Sequence, residues 1–419
     1  MKRWKSGLLA FLLGLAASAA GADEGRWTSA WSAGLMPATA AEPLPASPDG
    51  VTLRQFVRIS AGGQQIRLRL SNAFGDGPLT IGEAHVGRAE APGAPRVRPG
   101  SSRPVTFAGA SGVTIRAGAA YLSDPLPLPV SGLETLAISL HLPARPPAGT
   151  LHWLANTTAF VAEGNHAAAD TLLASRTERH WRQLAGVDVL SDAPRTAVVV
   201  LGDSITDGHG ATVDGDDRWT DVLAARLQAD PGARHVTVVN VGISGNRMLT
   251  DGRGGPAGLA RLERDVFSQP GATAVIVLLG VNDIGGLSRD GPVTAETRAR
   301  VVADLIAAYQ LVIARSRERG LKVVGATLLP FGGTPVYRSD ASADADRQAV
   351  NAWIRTSGAF DAVLDFDAVM RDPARPDRLR TEYDSGDHLH PSPVGYRAMG
   401  EATPIALLRR MTAPATPQE

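Results

Sequence analysis

Four apolar residues, Val198-Val199-Val200-Leu201, run unbroken into Gly202-Asp203-Ser204 and a polar turn, Ile205-Thr206-Asp207-Gly208. A continuous apolar run stopped by turn residues marks a strand buried on both faces, and such strands belong to parallel sheets covered by helices. Further strands are expected at residues 235–240, 274–279, 323–327 and 362–366. Helical periodicity lies between them. Residues 218–228 place Trp219, Val222, Leu223 and Leu227 on one stripe, and residues 294–318 do the same with Val301, Leu305, Tyr309 and Val312. Helices are also expected at 347–356 and 393–411. This alternation predicts an α/β, doubly wound parallel sheet over residues 195–412.

The preceding segment has a different rhythm. Ile66-Arg67-Leu68-Arg69-Leu70 alternates apolar and basic residues, and Leu136, Ile138, Leu140 and Leu142 repeat the alternation. Residues 53–59 and 113–115 read as strands, Gly62-Gly63 as a hairpin signal, and Gly and Pro punctuate throughout. Residues 27–190 are therefore expected to form an all-β sandwich or jelly-roll-like domain. Residues 176–194 read as a linker that can include a last strand at 187–190. Trp27, Trp31 and Trp153 fit core packing better than sugar stacking. His85, His141, His152 and His166 lack metal-ligand spacing and read as ordinary histidines.

Lys2, Arg3 and Lys5 precede an apolar run over residues 8–20 and then small residues, so residues 1–22 read as a signal peptide and the mature chain as exported, periplasmic or extracellular. The run is too short for a comfortable membrane span, so no membrane association is expected after cleavage. The chain has no cysteine, which excludes disulfides and a cysteine nucleophile. Its 42 basic and 42 acidic residues cancel, giving no electrostatic basis for binding nucleic acid.

Three strand ends carry reactive or polarising groups: Ser204 after the first, Gly245 in the loop after the second, Asn282 after the third. In a parallel sheet all three share one edge. Near the C-terminus Asp387-His388-Leu389-His390 places an acid three residues before a base. A serine hydroxyl needs a base within reach, and the base needs an acid to hold its tautomer. Ser204, His390 and Asp387 satisfy that requirement, with His388 a rival base. The backbone N–H groups of Ser204 and Gly245 and the amide of Asn282 are donors of the type an oxyanion hole uses.

With those residues in view, the second half resembles the SGNH hydrolase superfamily, the GDSL-like esterases and lipases. Gly202-Asp203-Ser204, Gly245, Gly280-Val281-Asn282-Asp283 and Asp387-His388-Leu389-His390-Pro391 match four of its motif blocks. Isoleucine follows the serine where leucine would complete the family's name motif. The Gly-x-Ser-x-Gly of the α/β-hydrolase elbow is absent. The resemblance implies a flavodoxin-like sheet, a catalytic trio of Ser204, Asp387 and His390, an oxyanion hole of Ser204, Gly245 and Asn282, and chemistry without metal or cofactor. The first half is similar, more loosely, to the β-rich domain of some secreted members. The expected activity is serine carboxylic ester hydrolysis of small acyl groups, with acetylated glycans as a substrate class by analogy of folds. A lipase or thioesterase for longer chains, using the glycine-rich loop 247–256 as lid or groove, is the alternative enzyme. A carbohydrate-binding protein with a scaffolding second half is the non-enzymatic alternative. Asp214, Asp216 and Asp217 read as a solvated loop, because they lack the spacing of a calcium loop.

Overall fold

The computed structural model describes residues 26–39, 43–145, 149–289, 291–337 and 339–412. The signal peptide expected at residues 1–22 lies outside the described residues. Among the described residues, no helix is long and apolar enough to cross a membrane.

The second half builds a five-stranded parallel sheet. Its spatial order is Val236–Asn240, Thr196–Gly202, Ala272–Leu278, Lys322–Ala326, Ala362–Leu364. In sequence order that is 2-1-3-4-5, the flavodoxin-like arrangement, whose switch point lies beside the first strand. Every pairing is parallel. Val198, Val199, Val200 and Leu201 are fully buried; side chains of this kind each contribute about 1.5–3 kcal/mol on burial. Helices Trp219–Ala229 and Ala295–Glu318 bring the apolar stripes that cover it. The helix expected over 393–411 is two helices, Pro393–Ala402 and Ile405–Thr412. Pro404 divides them, because proline offers no N–H and forces the residue before it, Thr403, out of the helical region.

Residues 26–191 contain no α-helix among those described. Two antiparallel sheets face each other. One has the order Arg176–Glu178, Ala159–Glu163, Val51–Arg58, Thr135–Leu142, Glu83–Arg88, Arg103–Val105. The other runs Arg26–Ser32, Leu184–Ser191, Gly63–Ser71, Leu126–Val130. Ile66, Leu68 and Leu70 point inward, against Leu53, Ile138 and Leu140 of the opposite sheet. Gly62-Gly63 is not a hairpin: Val51–Arg58 and Gly63–Ser71 belong to different sheets, so the pair carries the chain across the sandwich. Glycine is needed there because a Cβ on either would lie within 2.4 Å of a carbonyl oxygen. The expected linker at 176–194 is also mostly strand. Leu184–Ser191 lies between two partners within its sheet, and its Asp188 binds the outward-facing Arg67 and Arg69 at 3.0 and 3.1 Å.

The domains share a polar seam. Ser29 N–H donates to Pro270 O, Thr237 Oγ1 donates to Ser29 O at 2.8 Å, and Arg69 reaches Gln269 Oε1 at 2.6 Å. The edge strand of the parallel sheet, Val236–Asn240, thus lies beside the sandwich strand Arg26–Ser32. Trp31 packs edge-on against Trp181, with ring centroids 4.8 Å apart, a packing role as expected. Trp27 sits under Arg67, but Trp153 does not take the packing role expected of it: it is 44% exposed.

Candidate active site

The first strand ends at Gly202, and Asp203 caps a single helical turn, Ser204–Asp207, by accepting the Ile205 N–H at 3.0 Å. Ser204 therefore stands at a helix start, where the dipole favours negative charge. Its Oγ lies 2.7 Å from His390 Nε2, across 186 residues of sequence. His390 Nδ1 lies 2.6 Å from Asp387 Oδ2. The other carboxylate oxygen accepts the backbone N–H groups of Leu389 and His390 at 3.0 and 2.9 Å. Burial alone would raise the Asp387 pKa, but the hydrogen bonds and charge of His390 hold it well below the usual carboxylate range.

The acid and base sit on a loop shaped by its own side chains. Asp384 Oδ1 accepts from the Gly386 and His388 N–H groups, and Gly386 takes φ +102°, a conformation that favours glycine. Ser392 then caps helix Pro393–Ala402. His388 also takes positive φ and turns its ring to Asp384, away from Ser204. The structure thus brings His390, and not His388, to the serine.

Gly245 is tied from both sides. Ser244 donates through N and Oγ to Asp207 Oδ2 at 2.8 and 2.6 Å, and Asn246 O accepts from Asn282 Nδ2 at 2.8 Å. Gly245 itself holds φ +76°. Asn282 Oδ1 accepts from the Tyr337 hydroxyl, which fixes the amide with its nitrogen turned the other way. The three strand ends carrying Ser204, Gly245 and Asn282 are therefore joined by direct hydrogen bonds.

Residues 200–398 match the model of the GDSL-like Lipase/Acylhydrolase family. The C-terminal domain is a GDSL-like lipase/acylhydrolase domain. No curated protein matches the chain. Among solved structures, a GDSL-like lipase from Bacteroides thetaiotaomicron is 19% identical, with 51% of this chain and 88% of that one covered and a TM-score of 0.36. An acetyl xylan esterase is 20% identical, covering 49% of this chain and 96% of its own, TM-score 0.37. A member of the lipolytic protein G-D-S-L family from Veillonella parvula is 17% identical, covering 49% and 95%, TM-score 0.34.

Of the groups around the GDSL site, Arg261, Asp265 and His209 lie outside the motif blocks, while Asp203 and Asp283 belong to them. Arg261 is fully buried and donates to Gly202 O at 2.9 Å, Val241 O at 2.5 Å and Asn246 Oδ1 at 3.0 Å, tying the first two strand ends together. Asp265, 3.0 Å away, compensates its charge. Asp203 and Asp283 are buried, which raises their pKa values to about 7 and about 6. His209 lies against His390 with ring centroids 4.1 Å apart and the rings tilted by 38°, and burial beside His390 lowers its pKa. His209, Asp387 and His390 offer ligand atoms within 4.8 Å of one another. A metal ion there would have to displace the bonds of His390 to Asp387 and Ser204, so the residues fit acid–base work better than metal binding.

The glycine-rich loop after residue 246 is pinned. Asn246 Nδ2 donates to Gly254 O and Pro256 O, Asp251 accepts from Ala257 N, and Asp283 accepts from Met248 N and Leu249 N. The carboxylates of the 214–217 loop are engaged too: Asp214 with Thr158, Asp216 facing Arg58 at 3.8 Å, Asp217 with Thr212 N.

Proposed function

We propose that the protein is an exported serine esterase that hydrolyses carboxylic esters of small acyl groups through an acyl-enzyme on Ser204. The observation that carries this reading is the continuous relay from Asp387 Oδ2 through His390 to Ser204 Oγ, at 2.6 and 2.7 Å. In the first half-reaction Ser204 Oγ attacks the ester carbonyl carbon while its proton passes to His390 Nε2. The oxyanion that forms is met by the N–H groups of Ser204 and Gly245 and by Asn282 Nδ2. The tetrahedral adduct collapses, the C–O bond to the alcohol breaks, and His390 Nε2 returns the proton to that alcohol. Water then attacks the acyl carbon, losing a proton to His390, and the carboxylic acid leaves Ser204.

Two features support a small acyl group on a carbohydrate. The pinned 247–256 segment supports a short-acyl site over a swinging lid. Trp153 keeps an exposed ring on the sandwich loop whose Asn156 donates to Gly208 O, four residues beyond the serine. Such a ring is a stacking surface for a sugar face. Export follows from the leader pattern of residues 1–22.

Ser204→Ala tests the mechanism: hydrolysis of p-nitrophenyl acetate should vanish with the circular dichroism spectrum unchanged, and residual wild-type turnover would overturn it. A panel of p-nitrophenyl esters and acetylated polysaccharides tests the substrate class; a preference for long acyl chains would overturn that part.

A further inference from the structure

His152, which the sequence presents as an ordinary histidine, lies at the interface between the domains. It ends the short strand Thr150–His152 and is 2% exposed. Its Nδ1 lies 2.8 Å from Gly34 O. Its Nε2 lies 2.8 Å from Asp207 Oδ1 and 3.0 Å from Leu154 O. Carbonyl and carboxylate oxygens accept and do not donate, so both ring nitrogens carry hydrogen and the ring is an imidazolium. Burial opposes that charge, but Asp207 and the two carbonyls outweigh it and raise the His152 pKa.

Asp207 is the last residue of the helical turn that begins at Ser204. One carboxylate oxygen takes His152; the other takes both Ser244 donors, immediately before Gly245. The packing admits little slack: a Cβ on Gly242 would lie 2.5 Å from Asp207 N. Arg218 closes the same seam from the other side, donating through Nε to Asp207 O at 2.7 Å and to Ala155 O of the sandwich.

We propose that His152 is a positioning residue contributed to the esterase site by the sandwich domain: its imidazolium holds Asp207, and Asp207 holds the Ser244–Gly245 peptide where its N–H meets the oxyanion. The sandwich then completes the active site as well as packing against it. Loss of the imidazolium frees Asp207 to abandon Ser244, and the Gly245 N–H loses its aim. Deleting an oxyanion donor outright costs about 10²–10³ in rate, which sets the ceiling. Misaiming one should cost about 10–100-fold in kcat.

The inference rests on the acyl-enzyme reading. The experiment compares full-length wild type, His152→Gln, Ser244→Ala, the double variant and Ser204→Ala. His152→Gln should lower kcat with KM nearly unchanged. It should also weaken a phenylboronate, which forms a tetrahedral adduct on Ser204, by the same factor as kcat/KM. The double variant should lose little more than the worse single one, since both act through Asp207. A folded His152→Gln protein with wild-type kcat and boronate affinity, or losses that multiply in the double variant, would overturn the relay alone. Turnover by Ser204→Ala would overturn the relay and the acyl-enzyme together. Should His152→Gln fail to fold, the wild-type ring decides: nitrogen NMR at neutral pH should show both His152 nitrogens protonated, and a neutral ring would overturn the proposal.

Discussion

Replacing Asp387 by asparagine changes one atom in the relay, and the surrounding bonds dictate the consequence. Oδ1 accepts the N–H groups of Leu389 and His390 and the Ser385 hydroxyl, at 3.0, 2.9 and 3.1 Å. An amide nitrogen placed there would confront backbone donors with a donor. The oxygen of the new amide must therefore keep that place, and its NH2 group must face His390 Nδ1, where Oδ2 now lies at 2.6 Å. The imidazole is then forced to put its hydrogen on Nε2, which donates to Ser204 Oγ and cannot accept its proton. A wrong-tautomer substitution of this kind lowers kcat by about 10⁴ in a serine protease. At about 1.4 kcal/mol per tenfold, that corresponds to about 5 kcal/mol of transition-state stabilisation. Steady-state hydrolysis of p-nitrophenyl acetate should show the loss in kcat with KM close to wild type. A loss below about tenfold, or a raised KM with kcat intact, would refute the assignment of Asp387 as the tautomer-setting acid.

Asn282→Ala should lower kcat by about 10²–10³, and Tyr337→Phe by less, because it frees the amide to rotate without removing it; equal kcat in Asn282→Ala and wild type would exclude the amide from the oxyanion site. His390→Ala should lose orders of magnitude in kcat while His388→Ala, whose ring is held by Asp384, should not; the reverse order would reassign the base. Asp203 titrates near pH 7 in the folded protein, above the ordinary carboxylate value, so the folded state binds more protons than the unfolded chain between about pH 4 and 7. Its contribution to stability is thus fully present at low pH and is lost as pH rises through 7. Asn is an equally good helix cap, so Asp203→Asn should raise Tm more at pH 8 than at pH 5; an equal shift at both would refute the raised pKa.

Much of the fold is legible in local pattern. The apolar runs at 198–201 and 274–279 are buried strands because an uninterrupted run can only be satisfied by cover on both faces. Ile66, Leu68 and Leu70 face the sandwich core as their period of two requires. Asp387 and His390 sit three residues apart on one loop, so their bond is close to a local property of the chain. Pattern failed where the partner lay far along the sequence. Gly62-Gly63 reads as a hairpin until the strands on either side are seen in different sheets. Nothing in the local pattern marks Arg261, over which the ends of two strands close.

The strand ending at Ser204, with the residues able to serve it, was determined by sequence alone, because alternation and turn chemistry act within a few residues. The resemblance already pointed to His390 over His388; tertiary structure alone decided that a histidine of the other domain, His152, pairs with Asp207 behind the serine, and that two strand ends close over Arg261. Those choices depend on which surfaces meet when two sheets and two domains pack. A side chain's burial and charge state are set by that meeting, and the order of residues along the chain does not carry it.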